Sequence, residues 1–152
     1  MGLLTFKGGI HPNDGKSLAK DKAIVEVLPE GDLVFPLSQH IGAPAAPIVK
    51  VGDQVLKGQK IAEAGGFVSA PVYSSVSGKV KAIAPYFTPT GGKVSSIIIE
   101  NDGTYTEAER LNTRSLDLIT KEEILNLISE AGIVGMGGAG FPTRVKLSPK
   151  EP

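Results

Sequence analysis

Val49-Lys50-Val51-Gly52-Asp53-Gln54-Val55-Leu56-Lys57-Gly58-Gln59-Lys60-Ile61-Ala62-Glu63-Ala64 is the stretch on which the reading of this chain turns. Gly52 and Gly58 are each followed by a polar residue, Asp53 and Gln59, and each is set between aliphatic positions. Glycine permits the positive φ that a tight corner needs, so the string predicts short strands joined by two corners. The alternating aliphatics Val49, Val51, Val55 and Ile61 are expected to point inward. Working outward, short apolar runs separated by turn signals extend the same pattern. Ala23–Val27, Asp32–Pro36, Pro47–Val51, Lys60–Ala64, Gly78–Ile83 and Val94–Glu100 are the strand candidates, spaced by Gly31-Asp32, Gly42, Gly52-Asp53, Gly65-Gly66 and Gly91-Gly92. Residues 23–101 therefore read as a compact, mainly β domain. The glycine- and lysine-rich residues 1–22 read as an extended lead-in.

The Val-x-x-Gly-Asp-x-Val-x-x-Gly-Gln-x-Ile string resembles half of a biotinyl/lipoyl-like barrel-sandwich hybrid. Ala70-Pro71-Val72 followed by Val76-Ser77-Gly78-Lys79-Val80 resembles the other half. Carriers of that fold present a modified lysine on the hairpin between the halves. Here that hairpin is Glu63-Ala64-Gly65-Gly66-Phe67-Val68, which has no lysine. The domain is expected to act as a scaffold or docking module and not as a swinging arm.

Composition narrows the partners. The 152 residues contain 16 basic and 16 acidic side chains with no block of like charge, so nothing announces nucleic acid or an anionic membrane surface. The chain has no cysteine, which removes disulfides and thiolate-ligated clusters from it. No run approaches the roughly twenty apolar residues of a membrane span. The N-terminus has no apolar h-region, so the expected setting is cytoplasmic.

Beyond a polar linker at 102–119 the pattern changes. Thr120-Lys121-Glu122-Glu123 is a capping box, and Ile124, Leu125, Leu127, Ile128 and Ala131 share one face at helical spacing before Gly132. This predicts a helix over Lys121–Ala131. Directly after it comes Gly135-Met136-Gly137-Gly138-Ala139-Gly140-Phe141-Pro142-Thr143, followed by Arg144-Val145-Lys146. So many glycines let the backbone approach a ligand closely, and the hydroxyl and two cations that follow suit an anionic phosphate or flavin. The run fits neither the Rossmann fingerprint nor the Walker A loop. A close-packed turn between elements is the simpler alternative.

The string from Gly135 to Lys146 closely resembles the flavin-binding loop of the NADH-oxidising flavoprotein subunit of respiratory complex I. That family has arginine where this chain has Met136. An apolar residue there is typical of the C subunit of the Rnf complex, the ion-translocating ferredoxin:NAD oxidoreductase. Phe6-Lys7-Gly8-Gly9-Ile10-His11-Pro12, Pro36-Leu37-Ser38-Gln39-His40-Ile41-Gly42-Ala43-Pro44 and Ser74-Ser75-Val76-Ser77-Gly78-Lys79-Val80 are also similar to that subunit. The resemblance implies a barrel-sandwich hybrid over 23–101, then the beginning of an α/β FMN/NADH-binding domain over 120–152. It implies non-covalent FMN held by Gly135, Gly137, Gly138, Gly140 and Lys146, and hydride exchange with NAD(H). Iron–sulfur clusters would take their cysteines from sequence beyond Pro152, so this N-terminal part is expected to be inactive alone. The implied partners are other Rnf subunits and, indirectly, ferredoxin. The implied location is peripheral, on the cytoplasmic side of the membrane.

No catalytic or metal-binding residue is assigned. His11 and His40 are isolated in sequence and lack ligand spacing, so each is expected to be structural. Glu107 and Glu109 fall in the linker, Glu122 and Glu123 in a helix first turn where carboxylates suit the dipole, and Lys121 and Lys150 read as solvated charge. Two other functions fit the pattern: a cobalamin (corrin) reductase of the same architecture, and a non-catalytic docking or carrier-like module.

Overall fold

The computed structural model describes residues 12–89, 91–109 and 115–149, with only the backbone of Leu116. His11 and Lys150 lie outside the described residues. Among those described, the strands are β1 (Asp32–Pro36), β2 (Ala46–Pro47), β3 (Gln54–Val55), β4 (Lys60–Glu63), β5 (Val72–Tyr73), β6 (Gly78–Phe87) and β7 (Lys93–Asn101). Helix α1 (Lys121–Glu130) and the single turn α2 (Thr143–Lys146) follow.

All pairs among these strands are antiparallel and form two sheets, one in the order β1-β7-β6-β3 and one in the order β2-β4-β5. Phe35, Val55, Val80, Ile97 and Ile99 of the first sheet meet Ile61, Ala62 and Val72 of the second. Leu37, Ala45, Val49 and Val76 from the connections complete one core. Each of the larger side chains contributes about 1.5–3 kcal/mol on burial, which is why the short strands hold together only as a closed pair of sheets. The result is the mainly β domain that the turn glycines predict, in the barrel-sandwich hybrid arrangement that the resemblance implies.

The two corners explain the opening string. Asp53 donates its N–H to the Lys50 carbonyl at 3.1 Å, and its Oδ2 accepts from the Lys50 N–H at 2.8 Å. Gln59 repeats the device on Leu56, with its N–H donating at 3.0 Å and its Oε1 accepting at 2.9 Å. Gly52 and Gly58 occupy the third position of each corner with φ of 98° and 84°. Glycine supplies the backbone conformation and the polar residue after it closes the turn.

Several strand expectations need correction. Ala23–Val27 is not a strand: Ile24, Val25 and Val27 are exposed, and the next anchor is the Pro29 carbonyl, which accepts from Asn101 Nδ2 at 2.8 Å and from the Tyr105 hydroxyl. β-branched residues favour strands through packing against neighbours, and these side chains, lying in solvent, have none to pack against. Of Pro47–Val51 only Pro47 is in a strand, because the Lys50–Asp53 corner takes over; Val49 is buried while Val51 faces solvent. β3 and β5 are two-residue strands defined by pairing with β6 and β4, too short for a periodic signal. β6 runs past Ile83 to Phe87, accommodating Pro85 because β3 pairs only with its first two residues and leaves that edge free. A bulge at Lys81 lets β6 stay paired with β7 along this length.

Residues 102–108 are hydrogen bonded to the barrel. Lys57 N–H donates to the Thr106 carbonyl at 2.9 Å, Ala108 N–H to the Lys57 carbonyl at 2.8 Å, and the buried Ser77 hydroxyl to Asp102 at 2.8 Å. The Asp102 carboxyl is held below the usual range chiefly by the Thr104 N–H, with the Ser77 and Thr104 hydroxyls adding to it.

Helix α1 starts as its sequence predicts. Thr120 Oγ1 accepts from Glu123 N–H at 3.3 Å, Glu123 Oε2 accepts from Thr120 N–H at 2.9 Å, and Gly132 ends the helix with a φ of 64°. Leu125 is buried, and the helix is held at its C-terminal end by the Lys60–Glu130 ion pair and by the Tyr73 hydroxyl, which donates to the Glu130 carbonyl. The Glu130 hydrogen bond raises the Lys60 pKa against the opposing effect of burial, and burial raises that of Tyr73.

Candidate functional site

The glycine run is a closed loop standing on a two-rung neck. Thr143 N–H donates to the Ile133 carbonyl at 3.0 Å and Gly135 N–H to the Phe141 carbonyl at 2.9 Å, with Val134 and Pro142 bridged between them. Buried Pro142 stiffens the exit. Within the loop, the N–H groups of residues 136–140 donate to no other described residue. A row of unpaired backbone donors is a ready anion cradle.

The glycines in the loop answer to different demands. Gly140 has a φ of 61°, and a Cβ on it would stand 3.0 Å from the Gln39 carbonyl oxygen and 3.3 Å from His40 Cα. The fold itself therefore requires glycine there. Gly138 has a φ of 80° but open space around it. Gly137 has no left-handed backbone, and a Cβ added to it would meet no atom within 4 Å, so nothing in the fold demands glycine at 137. A Cβ on Gly135 would lie 3.2 Å from Lys146 Nζ, which places that ammonium against the loop.

Of the two cations following the loop, only Lys146 serves it. Its Nζ also lies 5.7 Å from the centre of the Phe141 ring, a cation–π contact that steadies the charge beside the loop. Arg144 is drawn away toward helix α1, with Nη2 3.4 Å from Glu122 Oε1. The five residues named by the resemblance thus share one loop and its flank: Gly135, Gly137, Gly138 and Gly140 in the loop, Lys146 beside Gly135.

The barrel forms the opposite wall. Ile41 N–H donates to the Ala139 carbonyl at 2.9 Å, docking the glycine loop on the Pro36–Pro44 connection. Between them lies an open cleft of about 480 Å³, with Ser38 to Ile41 on one side and Val134 to Met136 and Gly138 to Gly140 on the other. His40 is buried behind this wall: Ala70 N–H donates to its Nε2 at 3.0 Å, which leaves Nδ1 as the donor to the Ile41 carbonyl at 3.1 Å. The histidine is structural, as its isolation in sequence predicts, yet it fixes the peptide that holds the loop. The barrel wall is hidden in sequence because Ser38–Ile41 and the loop are far apart along the chain.

The larger depression, about 700 Å³, lies elsewhere, between Lys57–Lys60, Tyr73, residues 107–109 and the end of α1. It is crossed by the Lys60–Glu130 pair and flanked by Lys57–Glu107 at 3.5 Å, so both of its lysines are already paired and the remaining charge, Glu109, does not suit an anion. The smaller cleft is lined by loop residues whose N–H groups donate to no other described residue, and it is the better site. Glu107 and Glu122 are accounted for by these ion pairs and Glu123 by its cap, while no structural feature gives Glu109 a chemical role.

Known proteins point the same way. The sequence matches the family model described as the RnfC barrel sandwich hybrid domain over residues 4–104. It is 50% identical over 149 residues to the C subunit of the proton-translocating ferredoxin:NAD(+) oxidoreductase complex of Clostridium ljungdahlii, covering 97% of this chain and 32% of that protein. It is 43% identical over 145 residues to the C subunit of the Na(+)-translocating ferredoxin:NAD(+) oxidoreductase complex of Acetobacterium woodii, covering 95% and 33%. The C subunit of the ion-translocating oxidoreductase complex of Rhodobacter capsulatus is 44% identical over 147 residues, with 95% and 28% covered. The chain spans about a third of the length of these relatives.

Proposed function

This chain belongs to the RnfC barrel sandwich hybrid domain family, and from that premise we propose that it is the FMN-cradling part of the electron-transport subunit of an ion-translocating ferredoxin:NAD oxidoreductase. Relatives that share its sequence along nearly its whole length carry that activity in their names. In this reading the full-length protein binds FMN and NAD(H) and passes electrons to iron–sulfur clusters ligated outside these 152 residues, which contain no cysteine. Its partners are the other subunits of the complex, with ferredoxin reached indirectly. The protein sits peripherally on the cytoplasmic face of the membrane; among the described residues no helix is long and apolar enough to cross it.

The observation that carries the flavin assignment is the loop whose amides at 136–140 donate to no other described residue, with a glycine at 137 around which the described residues leave open space. A run of backbone donors beside the Lys146 ammonium suits the phosphate of a flavin nucleotide, and a side chain at 138, in the cleft wall, or at 137, next to it in the loop, would reduce the room for it. When bound, FMN supplies the exchange between two-electron hydride chemistry and one-electron transfer. The residues of this chain contribute binding: the loop backbone donates hydrogen bonds, Lys146 adds positive charge, and the barrel keeps the loop in place through Ile41.

In the full-length protein, Gly137→Val and Gly138→Val are expected to abolish FMN retention, read as bound flavin absorbance per polypeptide. Gly137→Val is the cleaner of the two, since it puts no valine in the left-handed region that Gly138 occupies. Lys146→Ala should weaken binding by about 1–3 kcal/mol, the range for a charge-assisted hydrogen bond. Both valine variants purifying with a full complement of FMN would refute the assignment.

A further inference from the structure

We infer that the barrel is part of the ligand site: Ser38 and Gln39, on the wall facing the glycine loop, hydrogen-bond the polar phosphate and ribityl chain of the flavin nucleotide. This rests on the reading of the loop given above and extends it to residues outside the loop. Both residues line the 480 Å³ cleft and are exposed, and neither side chain makes a hydrogen bond to another described residue. They are nonetheless mounted on a fixed frame. The Gln39 carbonyl oxygen and His40 Cα lie against Gly140, Ile41 N–H holds the Ala139 carbonyl, and the buried His40 ring ties the same peptide to Ala70 at the back. Free polar groups on a rigid backbone, set opposite a row of unpaired amides, suit recognition because little ordering entropy remains to be lost on binding.

The chemistry of the wall selects which end of the ligand it meets. Among the described residues no Phe, Tyr or Trp lines the cleft, and the His40 ring in its wall is buried and tied to Ala70, so no exposed aromatic face is offered to an isoalloxazine ring. A hydroxyl, a carboxamide and backbone N–H groups match the hydroxyls and phosphate oxygens of the ribityl phosphate. Gln39 can donate as well as accept, as sugar hydroxyls require, and Ser38 can do the same.

The test uses full-length protein stripped of flavin and titrated with FMN, with binding followed by quenching of flavin fluorescence. The Ser38→Ala/Gln39→Ala double variant is expected to bind roughly ten- to a hundredfold more weakly, as for two lost hydrogen bonds, while the thermal midpoint of the flavin-free protein is unchanged. Gln39→Glu, which keeps the shape and adds a negative charge facing the phosphate, should weaken FMN at least as much. An affinity within twofold of the parent for both variants, alongside loss of FMN in Gly137→Val, would overturn this inference and leave the loop assignment standing. Unchanged affinity in Gly137→Val and Gly138→Val as well would overturn the loop assignment and this inference with it.

Discussion

The corners of the barrel and the loop at 135–140 are both built on glycine, and they use it in opposite ways. At Gly52 and Gly58 the residue takes a left-handed φ, the flanking amides of Lys50, Asp53, Leu56 and Gln59 are answered within the turn, and the glycine amides donate to the Val80 and Ser74 carbonyls. In the loop, the amides of residues 136–140 donate to no other described residue, and a Cβ on Gly137 would meet no described atom within 4 Å. A glycine explained by its own backbone belongs to the fold. A glycine that the fold leaves unexplained, beside donors without partners, marks space kept for something else.

The comparison predicts first that the barrel, and not the loop, carries stability. Ile97→Ala, which removes a fully buried side chain from the first sheet, should destabilise the chain by about 2–5 kcal/mol in urea unfolding. A loss under about 1 kcal/mol would mean that the two sheets do not share the core described above.

The sharpest contrast comes from substituting alanine at Gly58 and at Gly137. Neither position has an atom within 4 Å of the new methyl group, so packing cancels and only backbone conformation differs. Gly58→Ala should cost about 1–2 kcal/mol, the penalty for an L residue held in the left-handed region. Gly137→Ala should stay within about 0.5 kcal/mol. Equal effects at the two sites would break the distinction between structural and spare glycines.

The smallest expected effect concerns the junction between the barrel and α1. The Lys60 pKa is raised above 10.5 in the folded protein by its Glu130 partner, so that contribution is complete below 10.5 and is lost as pH climbs through the raised value. The Tyr73 phenol, raised above 10.0 by burial, acts in the same direction, because only the protonated hydroxyl donates to the Glu130 carbonyl. Both contacts are partly solvated and individually weak. Methyl NMR spectra recorded between about pH 9 and 12 should show Leu125 and Ile128 of α1 shifting before Ile97 does. Simultaneous movement of all three would show that the helix and the barrel unfold as one unit.

Much of this protein follows from local sequence, because its turns and its helix cap are local devices. Gly52-Asp53 and Gly58-Gln59 close their corners with bonds three residues apart, and Thr120 with Glu123 does the same at the start of α1, so spacing alone reveals them. The glycine run and Lys146 are legible for the same reason, being close neighbours in the chain. Tertiary structure decided what depends on distant partners. Ala23–Val27 has strand composition, but its Ile24, Val25 and Val27 side chains lie in solvent, while Gln54–Val55 and Val72–Tyr73 become strands only because β6 and β4 lie beside them. Ser38 to Ile41 became the second wall of the cleft only when closure of the barrel carried them to Ala139 and Gly140. A hydrogen bond between residues far apart in sequence leaves no periodic trace in either of them, and the three-dimensional fold alone brings such residues into register.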